Sequence, residues 1–293
     1  MRRSLFLAAT AALALSTAIA GPVTAQSAPD ATYAAALADP VRTDADRARD
    51  AARHTAETLA FARVVPGQAI GDMVIGGGYF TRVFSAATGP EGHVTGWQPA
   101  EFVAFAAVYG QALVDIAELP NVTAIDSPLA APAWPEGLDL IFTAQNYHDL
   151  HLNQVPADSA AKANAAAFAA LKPGGLYVIL DHFAVAGAPV DTANSQHRID
   201  PAIVRAEVEA AGFVFDGEGG ALVNPDDPLT SSCCASASRT DKTVPVPLAK
   251  RGGRRYPCRE IVQGDRRHDA QDRLHRTGQH GGRHGRQPGE GRS

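Results

Sequence analysis

The sequence predicts an α/β protein: an open, mostly parallel sheet with helices on both faces. Three observations predict it. Apolar, β-prone runs alternate with helical patterns at least five times along the chain. A glycine turn, Gly76-Gly77-Gly78, follows the first run, and Tyr79, Phe80, Val83 and Phe84 then recur at helical spacing. Polar residues stand at the carboxyl ends of the runs: Asp72, Gln98, Asp126, Asn146 and Asp181. Sheets of this kind bind ligands beyond those ends.

The elements follow in order. Arg2 and Arg3, the apolar stretch Leu5 to Ile19 and the small residues Ala18-Ile19-Ala20 and Val23-Thr24-Ala25 read as a secretory signal peptide over 1–25. That implies export to the periplasm or secretion, and no later run is long enough to span a bilayer. Residues 26–62 form a helical lead-in. Residues 26 to 40 are Ala-rich and read as loose, while Thr43 or Asp44 caps a helix with Ala48, Ala52, Thr55 and Leu59 on one face.

The main domain spans 63–230. After Pro66-Gly67, Ile70 to Ile75 reads as the first strand, and its glycine turn suits a nucleotide-like ligand. Glycines let backbone approach a ligand, and the helix start behind them offers free N–H groups. Val94 to Gln98 is the second strand, and Val122 to Ile125 the third. The helix between them opens at Pro99-Ala100, with Phe102, Phe105, Ala106 and Tyr109 facing the core. Leu138 to Thr143 is the fourth strand, followed by Asn146-Tyr147-His148-Asp149. Asp158 caps an Ala-rich helix. The turn Leu171-Lys172-Pro173-Gly174-Gly175 leads to the buried run Leu176 to Leu180, which ends at Asp181-His182. Asp200 caps a last helix with Pro201 at its first position, and Phe213-Val214-Phe215 begins another strand.

From Ser231 to Ser293 the pattern is lost, and Arg, Gly, His, Asp and Gln dominate after residue 250. Two readings are open. One is a disordered basic tail. The other is an altered reading frame: Thr243-Val244-Pro245-Val246-Pro247-Leu248-Ala249, moved forward by one base, can encode Arg-Phe-Arg-Phe-Arg-Trp. That alternation suits a half-exposed strand. On this reading an indel lies near the codons for Ser231 to Cys234, and the C-terminal edge strands of the sheet are missing.

Composition narrows the chemistry. A net charge of -5 argues against a dedicated nucleic-acid binder. Cys233, Cys234 and Cys258 all lie in the tail, so the domain holds no disulfide, thiolate metal site or Cys nucleophile. His148 is the candidate base, because a histidine titrates near neutrality. Asp149 or Asp181 would orient it, and Tyr147 would stack on or hydrogen-bond to an acceptor ring. His148, His151 and His182 are an alternative metal set; otherwise no metal is assigned. His197-Arg198 is placed on a loop over the site, as a clamp for an acidic substrate, and Asp200 as an N-cap.

The runs Asp72-Met73-Val74-Ile75-Gly76-Gly77-Gly78-Tyr79-Phe80-Thr81, Asn146-Tyr147-His148-Asp149, Leu171-Lys172-Pro173-Gly174-Gly175 with Asp181-His182, and His197-Arg198-Ile199-Asp200 resemble class I S-adenosylmethionine-dependent methyltransferases. More narrowly, they resemble a bacterial group of predicted methyltransferases, many with signal peptides. The resemblance covers roughly residues 45 to 230, the whole inferred domain. It implies a Rossmann-like sheet, S-adenosylmethionine as cofactor and a small-molecule acceptor. It places Asp72, Gly76, Gly77 and Gly78 against the cofactor's amino-acid and sugar portions. Gln98 stands where an acidic residue usually accepts the ribose hydroxyls, Asp126 where the adenine amine is met, and Asn146 to Asp149 beside the reacting methyl. His148, Asp149 and Tyr147 become the catalytic candidates. Two departures stand out: Val74 replaces the usual first glycine, and Gln98 the usual acid. Both fit an alternative, a non-catalytic periplasmic binding protein on the same scaffold; a His-dependent metal hydrolase is the third reading.

Overall fold

The computed structural model describes residues 29–232 and 244–250. The stretch expected to be a signal peptide, the cysteines and most of the tail lie outside the described residues. Four N-terminal helices come first: α1 (Pro29–Ala38), α2 (Asp44–Arg47), α3 (Asp50–Arg53) and α4 (Thr55–Phe61). The sheet comprises β1 (Ala69–Met73), β2 (His93–Pro99), β3 (Val122–Ser127), β4 (Leu138–Ala144), β5 (Leu171–Asp181), β6 (Phe213–Phe215) and β7 (Val244–Lys250). Its connections hold α5 (Tyr79–Thr88), α6 (Ala100–Phe105), α7 (Ala107–Ala117), a 3-10 turn (His148–His151), α8 (Ser159–Ala170), α9 (Thr192–Gln196) and α10 (Pro201–Ala210).

The spatial order is β3-β2-β1-β4-β5-β7-β6. β1 to β5 are parallel, and β7 runs antiparallel between β5 and β6. Chain order reverses between β1 and β4, so the switch point lies at their carboxyl ends. Each central strand is buried on both faces because helices cover both. Along β4, Leu140 and Phe142 pack with Leu59, Phe80 and Phe84 on one side. Ile141, between them, packs with Ala163, Ala167, Val204 and Val208 on the other. This is the period-2 alternation of a strand, with both sides buried.

Three expectations are corrected. Residues 29–38 are not loose: they form α1, and the Tyr33 hydroxyl donates to the Val64 carbonyl at 2.9 Å. The helix expected from Thr43 is three short ones. Thr43 and Asp46 form a capping box, and His54 breaks the run in the left-handed region at φ 44. The breaks fold the segment around Tyr79, whose hydroxyl lies 2.5 Å from both Asp50 Oδ1 and Thr55 Oγ1, with the Arg42, Arg49 and Arg53 guanidiniums near its ring. The helix after β2 also splits, at the extended residue Ala106 (φ -148), which turns Phe105 outward to 86% exposure. Of Phe102, Phe105, Ala106 and Tyr109, all expected to face the core, Phe102 alone packs against the main core.

A fourth correction concerns the edge. The C-terminal strands are present: β7 pairs with β5 from Leu176↔Ala249 to Asp181↔Val244, and β6 pairs with Leu248 to Lys250. Pro245 and Pro247 look wrong for an inner strand, since neither donates to a ladder. They are two residues apart, so both missing N–H groups lie on one side of the strand. β6 reaches only Leu248, leaving one side of β7 without a strand at both prolines.

Candidate functional site

Register sets the polar strand ends side by side. Met73 pairs with Trp97 and with Thr143, Gln98 with Asp126, and Ala144 with Leu180. Val74, Gln98 and Asp126 thus border one half of the rim, and Gln145 to Asp149 with Asp181 the other. Asn146 ties the halves together: its amide Nδ2 donates to the Val74 carbonyl at 3.2 Å and to the Ala144 carbonyl at 2.6 Å.

In the first half the loop is built from backbone. Gly76 and Gly78 have φ of 54 and 76, and Val74 joins them at φ 62, a rare conformation for a β-branched residue. Val74 is buried in the core, and its N–H and that of Ile75 both reach the Trp97 carbonyl, at 2.9 and 3.1 Å. A Cβ on Gly76 or Gly77 would meet nothing within 4 Å, so this backbone faces open space. One on Gly78 would lie 2.7 Å from Ile116. Asp72 lies beneath the loop, accepting from Thr81 Oγ1 at 2.6 Å; burial pushes its carboxyl up to about 7.

Gln98 departs from its expected role. Its Oε1 already accepts the Gly76 N–H at 3.0 Å. That bond fixes which end of the amide is oxygen, so Nε2, fully buried and without a partner, is the group left over. What the residue has left over is a buried donor, not the acceptor a ribose diol would need. Asp126 lies exposed at the neighbouring end of β3.

The second half is ionic. Asp181 accepts from three N–H groups, each at 2.7 Å: the backbone of His148, the backbone of His182, and His148 Nδ1. His148 Nε2 lies 3.3 Å from Asp149 Oδ1. Burial opposes charge on His148, but the Asp181 carboxylate outweighs it and, with Asp149, raises the imidazole to about 9. Burial would raise Asp181, yet the His148 charge holds it below the usual carboxylate range. Burial lifts Asp149 to about 6 against the His148 charge. His148 is therefore an imidazolium near neutrality, not the neutral base its ordinary titration suggests, and Asp149 is the partly exposed group beside it. Asp181, of the two expected orienters, holds the ring.

Tyr147 points the other way. It is fully buried in the main core, donates to Glu207 Oε2 at 2.9 Å and accepts from Asn164 Nδ2 at 2.8 Å. Burial and the Glu207 charge push its phenol well above the ordinary value. The expectation that it contacts an acceptor is corrected: on a 3-10 turn, the residue before His148 is carried into the core. His151 also leaves the cluster, its Nε2 lying 3.0 Å from Glu207. The set His148, His151 and His182 therefore does not converge. His182 lies against Gln145, their nitrogens 3.4 Å apart.

Arg198 is corrected as well. It is 2% exposed, bidentate to Asp227, and donates to the Phe183 and Ser231 carbonyls, so it staples the fold and clamps no substrate. Its neighbour His197 does reach the site: the His197 and His148 ring centroids are 5.4 Å apart. Burial and the His148 charge hold the His197 imidazole below its ordinary value. The sequence reading set His197 over the site, and the Phe183↔Ile199 bridge after a long loop is what brings it there, against His148. Asp200 caps α10, accepting the Ala202 N–H at 2.9 Å.

No family model matches the chain, and no curated protein does. Solved structures do. A chain of the complex between the Haloferax volcanii Trm112 methyltransferase activator and a methyltransferase aligns over 78% of this chain and 100% of its own, at 13% identity and TM-score 0.50. A SAM-dependent methyltransferase from Aquifex aeolicus aligns over 76% and 99%, at 19% identity and TM-score 0.49. Aeropyrum pernix fibrillarin, solved with S-adenosylmethionine, aligns over 65% and 74%, at 17% identity and TM-score 0.41. At such identities the likeness is one of fold. The chain has the Rossmann-like α/β architecture of class I methyltransferases.

Proposed function

We propose that the protein is an S-adenosylmethionine-dependent methyltransferase that acts on a small-molecule acceptor after export to the periplasm. The observation that carries this reading is the divided rim. A glycine loop facing open space and the partnerless Gln98 Nε2 stand on one side of the switch point, and a buried carboxylate–imidazole network on the other. The basic and apolar start of the chain supports export.

Those residues fit the cofactor in part. The Gly76 to Gly78 backbone and the Gln98 amide would hold it, with Asp126 at the adenine end. When bound, S-adenosylmethionine supplies an electrophilic methyl on a sulfonium. The chain's own work is to orient the acceptor and take its proton. Asp149 would receive that proton, since its carboxyl titrates near 6 and is the less buried of the pair. The imidazolium of His148, fixed by Asp181, keeps Asp149 ionised and in place. The proton freed when the acceptor takes up the methyl would end on Asp149, which keeps the charge in balance.

Gln98 also favours a second reading, a non-catalytic binding protein, because its only carbonyl oxygen is already engaged by Gly76. Calorimetric titration and thermal melting of the full chain with S-adenosylmethionine and S-adenosylhomocysteine separate the two. Heat and a raised melting temperature are expected. No heat and no shift at millimolar cofactor would overturn methyl transfer in favour of the second reading.

A further inference from the structure

We propose that His148, Asp149 and His197 form a binding site for a divalent transition-metal ion, of the class that two imidazoles and one carboxylate accept. Each offers one ligand atom, and these atoms all lie within 4.8 Å of one another. The His148 Nε2 to Asp149 Oδ1 separation is 3.3 Å. In a tetrahedral site with bonds of about 2.0 Å, ligand atoms stand about 3.3 Å apart, so this pair already spans one edge.

The surroundings are those of a built site. His148 Nδ1 is held by the Asp181 carboxylate at 2.7 Å, which leaves Nε2 as the ligating nitrogen. A carboxylate on the far nitrogen is the usual support of a metal-bound histidine, fixing its ring and raising its basicity. Asp181 also holds the His148 backbone N–H, so the ring is anchored at two points. His197 sits in the left-handed region at φ 50 and ψ 49, which a non-glycine residue adopts only where its surroundings hold it. They do: Arg198, next in the chain, is pinned by Asp227, Phe183 and Ser231, and the Ile199 N–H donates to the His182 carbonyl at 2.9 Å. The His148 and His197 rings meet edge to face, at 81°.

The donor set selects the metal. Two imidazoles and a carboxylate, with no thiolate, suit zinc, iron(II), cobalt(II) or nickel(II) better than calcium or magnesium. Three protein ligands leave at least one position for water or for an oxygen of a bound molecule. His148 and Asp149 belong to both this set and the proton-accepting pair, so the two are alternative states of the site: ligation displaces the proton from His148 Nε2. Metal binding does not rest on the methyltransferase reading, and its test involves no cofactor.

The tail holds His268, His275, His280 and His284, side chains of a metal-ligating type, so the test must be a difference. Metal-stripped full-length protein is titrated with zinc by calorimetry and with cobalt(II) by visible absorption. The wild-type chain, His197→Ala and Asp149→Asn are compared. The expected result is one equivalent more in the wild type than in either variant, with a tetrahedral cobalt spectrum lost in both. Asp181→Asn should weaken the site by about 10- to 100-fold. A measurement on unaltered protein stands beside these: zinc should protect the His197 peptide from carbethoxylation, read by mass spectrometry. Equal stoichiometry and spectra in wild type and folded variants would overturn the site. So would a His197 peptide modified equally with and without zinc.

Discussion

The two halves of the rim solve the same problem differently. Around β1 and β2 the working groups are backbone and amide, and the charged residue is tucked beneath them: Asp72 is buried against Thr81, and Gln98 against Gly76. Around β4 and β5 the working groups are ionised side chains that fix one another, with Asp181 accepting three N–H bonds. Backbone sites are specified by where a side chain is missing, and ionic sites by where one is present. The first half should therefore respond to added atoms, and the second to removed charges.

The largest expected effect is on the ionic half. Asp181→Ala strands the buried His148 imidazolium and should destabilise the chain by roughly 3–5 kcal/mol in urea unfolding. A loss below about 1 kcal/mol would mean that the network is peripheral. Next comes pH. The folded-state value of His148 is raised above its unfolded one, so its contribution is fully present below about pH 6.5 and fades as pH rises through about 9. That is about 3 kcal/mol across the window, and His148→Gln should flatten the slope; an unchanged slope assigns it to other groups.

The backbone half should separate stability from binding. Gly78→Ala combines a positive φ with a Cβ 2.7 Å from Ile116 and should cost about 1–3 kcal/mol. Gly76→Ala meets no neighbour, so its stability cost should be smaller, with the greater loss in cofactor affinity. Calorimetry that finds affinity untouched would place the ligand elsewhere. The smallest effect is a gain. Gln98→Glu keeps an acceptor for the Gly76 N–H and adds a charged oxygen, and should tighten cofactor binding about 10-fold. Weaker binding would show that the buried charge costs more than the new bond returns.

The strand–helix alternation was legible because glycine and proline punctuate it: Pro66-Gly67 before β1 marks a real break, while Pro173-Gly174-Gly175, expected as a turn, lies within β5 and shifts its register on β4 between Leu171 and Leu176. The left-handed break at His54 was not, since a histidine there carries no local signal. In the site, the strand-end positions could be read from the text, but side-chain direction could not. Tyr147 and His148 are adjacent, yet one is core and the other faces Asp181. His197 and Arg198 were marked together, and tertiary contacts gave them opposite roles.

The arrangement of the last strands has a consequence for biosynthesis. β6 pairs with β7 alone, and β7 wedges between β5 and β6, both of which leave the ribosome earlier. Until residues 244–250 emerge, the nascent domain holds an open β5 border and a strand with no partner to bond. A message cut short before that point removes two strands from the sheet rather than one.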